Sequence, residues 1–197
     1  MQSKNRISGF SFIIFFIFLF KINGFAQPTG AIKDAFDYLN AIRKNPGAYS
    51  SEISTAATKV DLSTVDPIGA LTWNDTLAKV AQAKAQDMVK RGYDGHLDPD
   101  GNGINILIAF AGYDIPFPEY ADVNYYESLA SGSSSPKVAI QHLINDAEPN
   151  HQRAGHRKHL LGIQDSNKYL VDIGIGWVTG GKWGTYCVII IAKVKGK

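Results

Sequence analysis

The sequence predicts an α+β domain in which helices pack over an antiparallel sheet. Three observations carry that prediction. Residues 31–44 and 75–91 repeat apolar positions at helical spacing. Residues 169–194 alternate like two strands about a Gly180-Gly181 turn. Helical segments therefore come first and a hairpin last, with no internal repeat, an order that segregates helices from a sheet.

The first residues read as an address label. Lys4 and Arg6 form a positive start, Phe10 to Phe20 is an apolar run broken only by Ser11, and Gly24 and Ala26 are small. This pattern predicts a secretory signal peptide over residues 1–26, cleaved after Ala26. The run is shorter than the about 20 apolar residues a membrane span needs, and Lys21 closes it, so no transmembrane anchor is expected in the mature chain. Residues 27–197 then suit a single domain. Removing Lys4, Arg6 and Lys21 from 20 basic residues leaves 17 against 18 acidic ones. That near balance argues against nucleic acid or an anionic membrane as partner. Cys187 is the only cysteine, so the domain must fold without an internal disulfide; in TYCVIIIAKV it reads as a buried strand hydrophobe.

The elements follow in order. Ile32, Ala35, Phe36, Leu39 and Ile42 fall on one face of the first helix, which Pro46 ends. Residues 51–69, rich in Ser, Thr and Ala, read as a loop with at most a turn of helix. Asn74 caps the second helix and Gly92 stops it; Leu77, Ala81, Ala85 and Met88 form a stripe small enough for close packing. Asn74-Asp75-Thr76 is also a glycosylation sequon. Residues 104–110 are short and apolar, and an irregular acidic loop leads to Tyr125, Tyr126 and Glu127. Ser133 to Ser135 before Pro136 start a further helix, running to about Asp146. After Gly155-His156-Arg157 the chain is expected to become β, Tyr169–Val178 placing Gly174 and Gly176 on one face and Ile173 and Ile175 on the other.

The chemistry concentrates in GHLDPDG, NYYESLASG and RAGHRKHLL, which carry His96, Glu127 and His156. Two imidazoles and a carboxylate from separate segments can converge on a cleft and hold a metal ion. There is no H-E-x-x-H, no G-x-S-x-G and no glycine-rich phosphate loop. Asp98-x-Asp100-x-Asn102-Gly103 matches the first half of a calcium loop, but Ala109 stands where a bidentate Glu is needed, so calcium is not expected. His142 reads as a partly buried structural histidine, and His159 is expected to point outward.

Seven short matches in order resemble the CAP superfamily, or SCP domain, in its microbial branch without disulfides. They are Leu39-Asn40-Ala41-Ile42-Arg43, Leu71-Thr72-Trp73-Asn74 with Leu77 and Ala81, Gly95-His96 with Pro99-Asp100-Gly101, Ala111-Gly112-Tyr113, Glu127 with Ala130 and Gly132, Gly155-His156-Arg157 with Leu160 and Leu161, and Ile173-Gly174-Ile175-Gly176. The resemblance implies a three-layer α-β-α sandwich, with two His and two acidic residues lining a central cleft. It makes residues 104–110 a helix and His96 and His156 the pocket imidazoles. Glu127 becomes the first pocket acid. Asn145, Asp146 and Glu148 all lie near the second acid's place, and Asp146 is chosen. Tyr126-Glu127-Ser128 replaces the family's Gly-Glu-Asn, making Tyr126 and Ser128 candidate ligand contacts, and the usual Trp before the second His is absent.

Three functional readings follow. The first is a secreted or periplasmic protein that binds a metal, with zinc the candidate, or a small-molecule, lipid, sterol, peptide or cell-surface partner. In it, Tyr93, Tyr113, Tyr125 and Tyr126 serve either as an apolar rim or as core. The second is a metal-dependent hydrolase, peptidase-like, with Glu127 as general base on a bound water. The third is a hydrogen-bond network that fixes loops.

Overall fold

The computed structural model describes residues 28–116 and 124–196. The leader expected over residues 1–26 lies outside the described residues. Helix α1 spans Gly30–Lys44 and buries Ala35, Tyr38, Leu39, Ile42 and Arg43. A 3-10 turn, Pro46–Tyr49, leads into α2, Ser50–Ile53. The following loop adds Val60, Leu62 and Val65 to the core. Strand β1 is only Thr72–Trp73, and α3 runs Asp75–Arg91. The Asn74 side chain accepts from Leu77 N–H, and Gly92 ends α3 at φ 71°, a left-handed stop that suits glycine. Then come α4 (Ile104–Phe110), β2 (Glu127–Ser131), α5 (Pro136–Asn145), α6 (Gly155–Leu161), α7 (Asp165–Lys168), β3 (Asp172–Thr179) and β4 (Thr185–Ala192). Among the described residues no helix is long and apolar enough to cross a membrane.

The strands lie in the order β1-β3-β4-β2. The β2-β4-β3 part is antiparallel, as expected, and the short β1 adds a parallel pair to β3. The fold is therefore α+β with a mixed sheet. Helix α3 covers one face of β3 and β4, while α1, α5 and α6 pack together on the other side.

Two corrections concern connections. Residues 155–168, read as leading straight into β structure, form α6 and α7, and β3 begins only at Asp172. The cause is local: Gly162, at φ 63°, stops α6 after barely two turns, too short for a visible apolar stripe. Glu127, placed at the end of an irregular loop, instead opens β2, whose sequence ESLAS lacks the large alternating apolar residues that signal a strand.

Gly174 and Gly176 set the distance between α3 and the sheet. A Cβ at Gly174 would lie 2.1 Å from the Ala78 nitrogen, and one at Gly176 2.3 Å from the Ala81 carbonyl carbon. The facing glycines and alanines let the two backbones touch. This fixes the sidedness of the sheet. Gly174 pairs with Ile190 and Gly176 with Val188, and these pair with Glu127 and Leu129. Directly paired residues point to the same face, so Glu127, Leu129 and Ser131 face the α3 side. Ser128 and Ala130 face the other layer.

Candidate functional site

Each expected cleft histidine carries a carboxylate on its Nδ1. His96 stands in the loop after α3, and its Nδ1 is 2.6 Å from Glu127 Oε2. The imidazole is partly exposed, with 41% of its side-chain surface accessible, whereas the Glu127 side chain has none. The short contact puts the proton on Nδ1, where it is donated to the carboxylate, and leaves Nε2 as the acceptor nitrogen, 3.5 Å from the Asn124 amide nitrogen. Glu127 itself is held at its backbone by Asn124, whose Oδ1 accepts from Glu127 N at 2.9 Å and whose Nδ2 donates to Glu127 O at 2.8 Å. From α3, the buried Lys84 donates Nζ to the His96 carbonyl at 2.9 Å and lies 5.1 Å from the centroid of the Tyr93 ring.

His156 is built the same way from the other layer. It is the second residue of α6. Its Nδ1 is 2.8 Å from Asp146 Oδ1, and its backbone N–H donates to Asp146 Oδ2 at 3.0 Å. Asp146 ends α5 at φ 53° and Ala147 follows at φ 45°, two non-glycine residues in the left-handed region. Such backbone costs roughly 1–3 kcal/mol per residue and persists only where surroundings enforce it. Arg157, fully buried, does so. Its guanidinium donates to the carbonyls of Ile144 and Asn145 at 2.5 Å each, and to those of Glu148 and Pro149.

His96, Glu127, Asp146 and His156 line one cavity of about 740 Å³. It straddles the start of β2, with Glu127 reaching His96 on the α3 side and Ser128 reaching α6 on the other. Its walls are polar and carry both signs of charge, including Glu148, Arg153, Lys158, Gln164 and Asn167. Of the three candidates for the second acid, Asp146 holds His156. Asn145 is buried and donates to Ile53 O, while Glu148 pairs with Arg153.

His159 overturns its expected outward orientation. It is 7% exposed, and its Nδ1 is 2.8 Å from the buried Ser128 hydroxyl. The reason is that α6 runs across β2, so position 159 turns toward the sheet. Ser128 therefore lies on the cleft wall with its hydroxyl already engaged. Burial, reinforced by the nearby His156, Arg43 and His96 charges, pushes the His159 imidazole down to about 4. A buried neutral histidine with a lowered pKa stabilises the fold fully above the unfolded value and loses that contribution as pH falls toward its own. We expect stability to drop by about 3 kcal/mol between pH 6.5 and 4 from this group. Urea unfolding across that range measures the drop, and His159→Gln should flatten the profile. An equal slope in the variant contradicts the assignment.

Tyr126 is also buried, and it lines a neighbouring cavity with Tyr169 and Leu170 rather than the histidine cleft. Tyr113 is buried and donates to Asp172 at 2.7 Å, and Tyr93 donates to Asp87 at 2.9 Å. Only Tyr125 of the four tyrosines lines the histidine cleft. His142 is exposed rather than partly buried, because its place on α5 leaves Leu143 and Ile144 to face the core; its Nδ1 is 3.1 Å from the Ser133 hydroxyl. In the calcium-like loop, Asp98 accepts from Asp100 N and Asn102 N and pairs with Arg91, which also holds Asp100. These contacts hold the Asp98 carboxyl down at about 2.

Sequence reasoning missed Lys84, Asn124 and Arg157. Lys84 left a trace: it is a lysine beside the apolar stripe of Ala81, Ala85 and Met88. Asn124 and Arg157 act through contacts with no periodic signature.

A metal ion is the group that the two imidazoles and the carboxylate suggest. Among the described residues, no three His, Cys, Asp or Glu side chains gather closely enough to hold one by themselves. The donor chemistry fits a more open site. Both imidazoles have Nδ1 on a carboxylate, the arrangement typical of metal-ligating histidine; a metal on His96 Nε2 would displace the 3.5 Å contact of the Asn124 amide nitrogen. Glu127 Oε1 is buried without a hydrogen-bond partner in the structure.

The family model described as the cysteine-rich secretory protein family, CAP, matches residues 36–191. Among proteins of curated function, no match was found. An extracellular Bacillus anthracis protein containing an SCP domain aligns with a TM-score of 0.54 and 20% identity, over 83% of this chain and 40% of that one. The chain thus spans well under half of that protein. An outer surface protein of Borrelia burgdorferi aligns with a TM-score of 0.55 and 19% identity, over 84% of this chain and 93% of the other.

Proposed function

The chain belongs to the cysteine-rich secretory protein (CAP) family, and from that premise we propose that it is an extracytoplasmic binding protein. Its cleft takes a divalent metal ion, zinc in the first instance, together with a polar or peptide ligand. One observation carries this reading: His96 and His156 each have Nδ1 fixed by a carboxylate on the wall of the same cavity. His96 and His156 would hold the metal through Nε2. Bound zinc would supply a Lewis acid that polarises a coordinated oxygen. Glu127 and Asp146 orient the two rings and stabilise them as donors. The polar walls favour a hydrated or peptide ligand over a lipid or sterol. The apolar leader read at residues 1–26 supports export, and the two solved relatives are described as extracellular and outer-surface proteins.

The metal-dependent hydrolase is not favoured. Glu127 Oε2 is committed to His96, and the side chain is fully buried. That suits a carboxylate that steers an imidazole better than one that deprotonates a water in the cleft.

Two imidazoles make a thin coordination shell, so affinity should be modest. Calorimetric titration of the metal-free protein with zinc should give one site. His96→Ala and His156→Ala should each weaken it, and Glu127→Gln or Asp146→Asn should weaken it by about 10–100-fold, the usual effect of removing a partner of a ligating histidine. Unchanged affinity in both histidine variants would end the metal reading.

A further inference from the structure

We infer that the free edge of β2 receives an extended peptide segment, whose backbone pairs with Leu129 and Ser131 and whose continuing residue enters the histidine cleft. This rests on the reading of that cleft as a ligand site, and names the class of ligand.

The register of β2 supplies the argument. Ile191 N donates to Tyr126 O, and Gly132 N donates to Thr185 O, each a pair of directly opposed residues. Hydrogen-bonded and non-bonded pairs alternate along an antiparallel ladder. Ser128 and Ala130 therefore bond to β4, while Glu127, Leu129 and Ser131 turn their N–H and C=O away from it. Among the described residues no strand lies beyond β2. Leu129 and Ser131 are half-buried, and among the described residues neither backbone has a hydrogen-bond partner off the ladder, while the Ser131 hydroxyl donates to Asp94 at 2.8 Å.

At Glu127 the outward groups are already satisfied, and the manner is informative. The Asn124 carboxamide accepts from the N–H and donates to the C=O of the same residue. One amide does there what a neighbouring strand would do. Asn124 thus ends the pairing edge at the position where the cleft begins, since both it and Glu127 line the cavity. A row of outward donors and acceptors matches an extended backbone, the mode by which peptides add to sheet edges. The open stretch covers only two outward residues, short for an edge-to-edge dimer but sufficient to lead a peptide past Asn124 toward His96 and His156. Polar, mixed-charge walls suit a peptide's hydrated groups.

The test uses metal-free protein and a randomised pool of acetylated, amidated hexapeptides. Its control is the same pool N-methylated at every amide, which keeps side chains but donates no backbone hydrogen bond. Amide hydrogen exchange is read by NMR at Leu129 and Ser131, with Ala130, already in the ladder, as internal reference. Exchange at Leu129 and Ser131 should slow by about tenfold once the pool stands near ten times its dissociation constant. The methylated pool should leave it unchanged. Equal protection by both pools, or none from the unmethylated pool at millimolar concentration, overturns the inference. So does protection that grows with protein concentration alone, which would assign the edge to a second copy of the chain. Zinc titration without peptide reads the histidine pair separately, so either idea can fail while the other stands.

Discussion

Replacing Arg157 by methionine is expected to cost about 4 kcal/mol of stability, because it leaves buried carbonyls without donors at roughly 1–3 kcal/mol each. The guanidinium serves Ile144, Asn145, Glu148 and Pro149, which bracket Asp146 on both sides. No other residue type offers a planar fork of this reach, and lysine, with one donor centre, should recover little. The consequence for the site is specific. Asp146 and Ala147 lie in left-handed backbone between those tied carbonyls, and releasing the carbonyls should relax it. Once released, Asp146 loses its aim at His156. Zinc affinity should fall in the folded fraction of the variant by about the 10–100-fold expected when a histidine's carboxylate partner is lost. Urea unfolding and zinc calorimetry on one preparation measure both effects. A loss of stability with unchanged zinc affinity would separate Arg157 from the site.

Gly174→Val should damage the fold by a different route. Its first carbon would meet the α3 backbone at 2.1 Å, where no rotamer change relieves the clash. Helix α3 must move, and Lys84 moves with it away from the His96 loop. Overpacking a tight contact typically costs roughly 1–3 kcal/mol, and here, against backbone, about 3 kcal/mol or more is expected. Thermal unfolding by circular dichroism checks it. A variant with an unchanged midpoint would mean that α3 does not sit on the sheet at the stated distance.

Much of the fold was legible where the cause is local. Helix α3 was readable to the residue, because its cap, stripe and stop all sit within residues 74–92. The β3–β4 hairpin was readable because its two alternating runs meet at a turn. Strands β1 and β2 were not. One has two residues and a parallel partner about a hundred positions away; the other is small and polar and becomes a strand only by pairing with β4. The site divides the same way. His96, Glu127 and His156 stand in recognisable short motifs, and Asp146 was chosen from three neighbours. Which acid meets which histidine depends on β2 lying between two helical layers, a tertiary fact. The inward turn of His159 was hidden for the same reason, since only the position of α6 across Ser128 decides it.

The most direct measurement is a long-range proton–nitrogen NMR correlation of the imidazoles in metal-free protein, repeated with zinc. His96 and His156 should both carry their proton on Nδ1, and zinc should shift both Nε2 signals together, saturating at one equivalent. Zinc that moves one histidine alone, or that leaves both Nε2 signals in place, would contradict it.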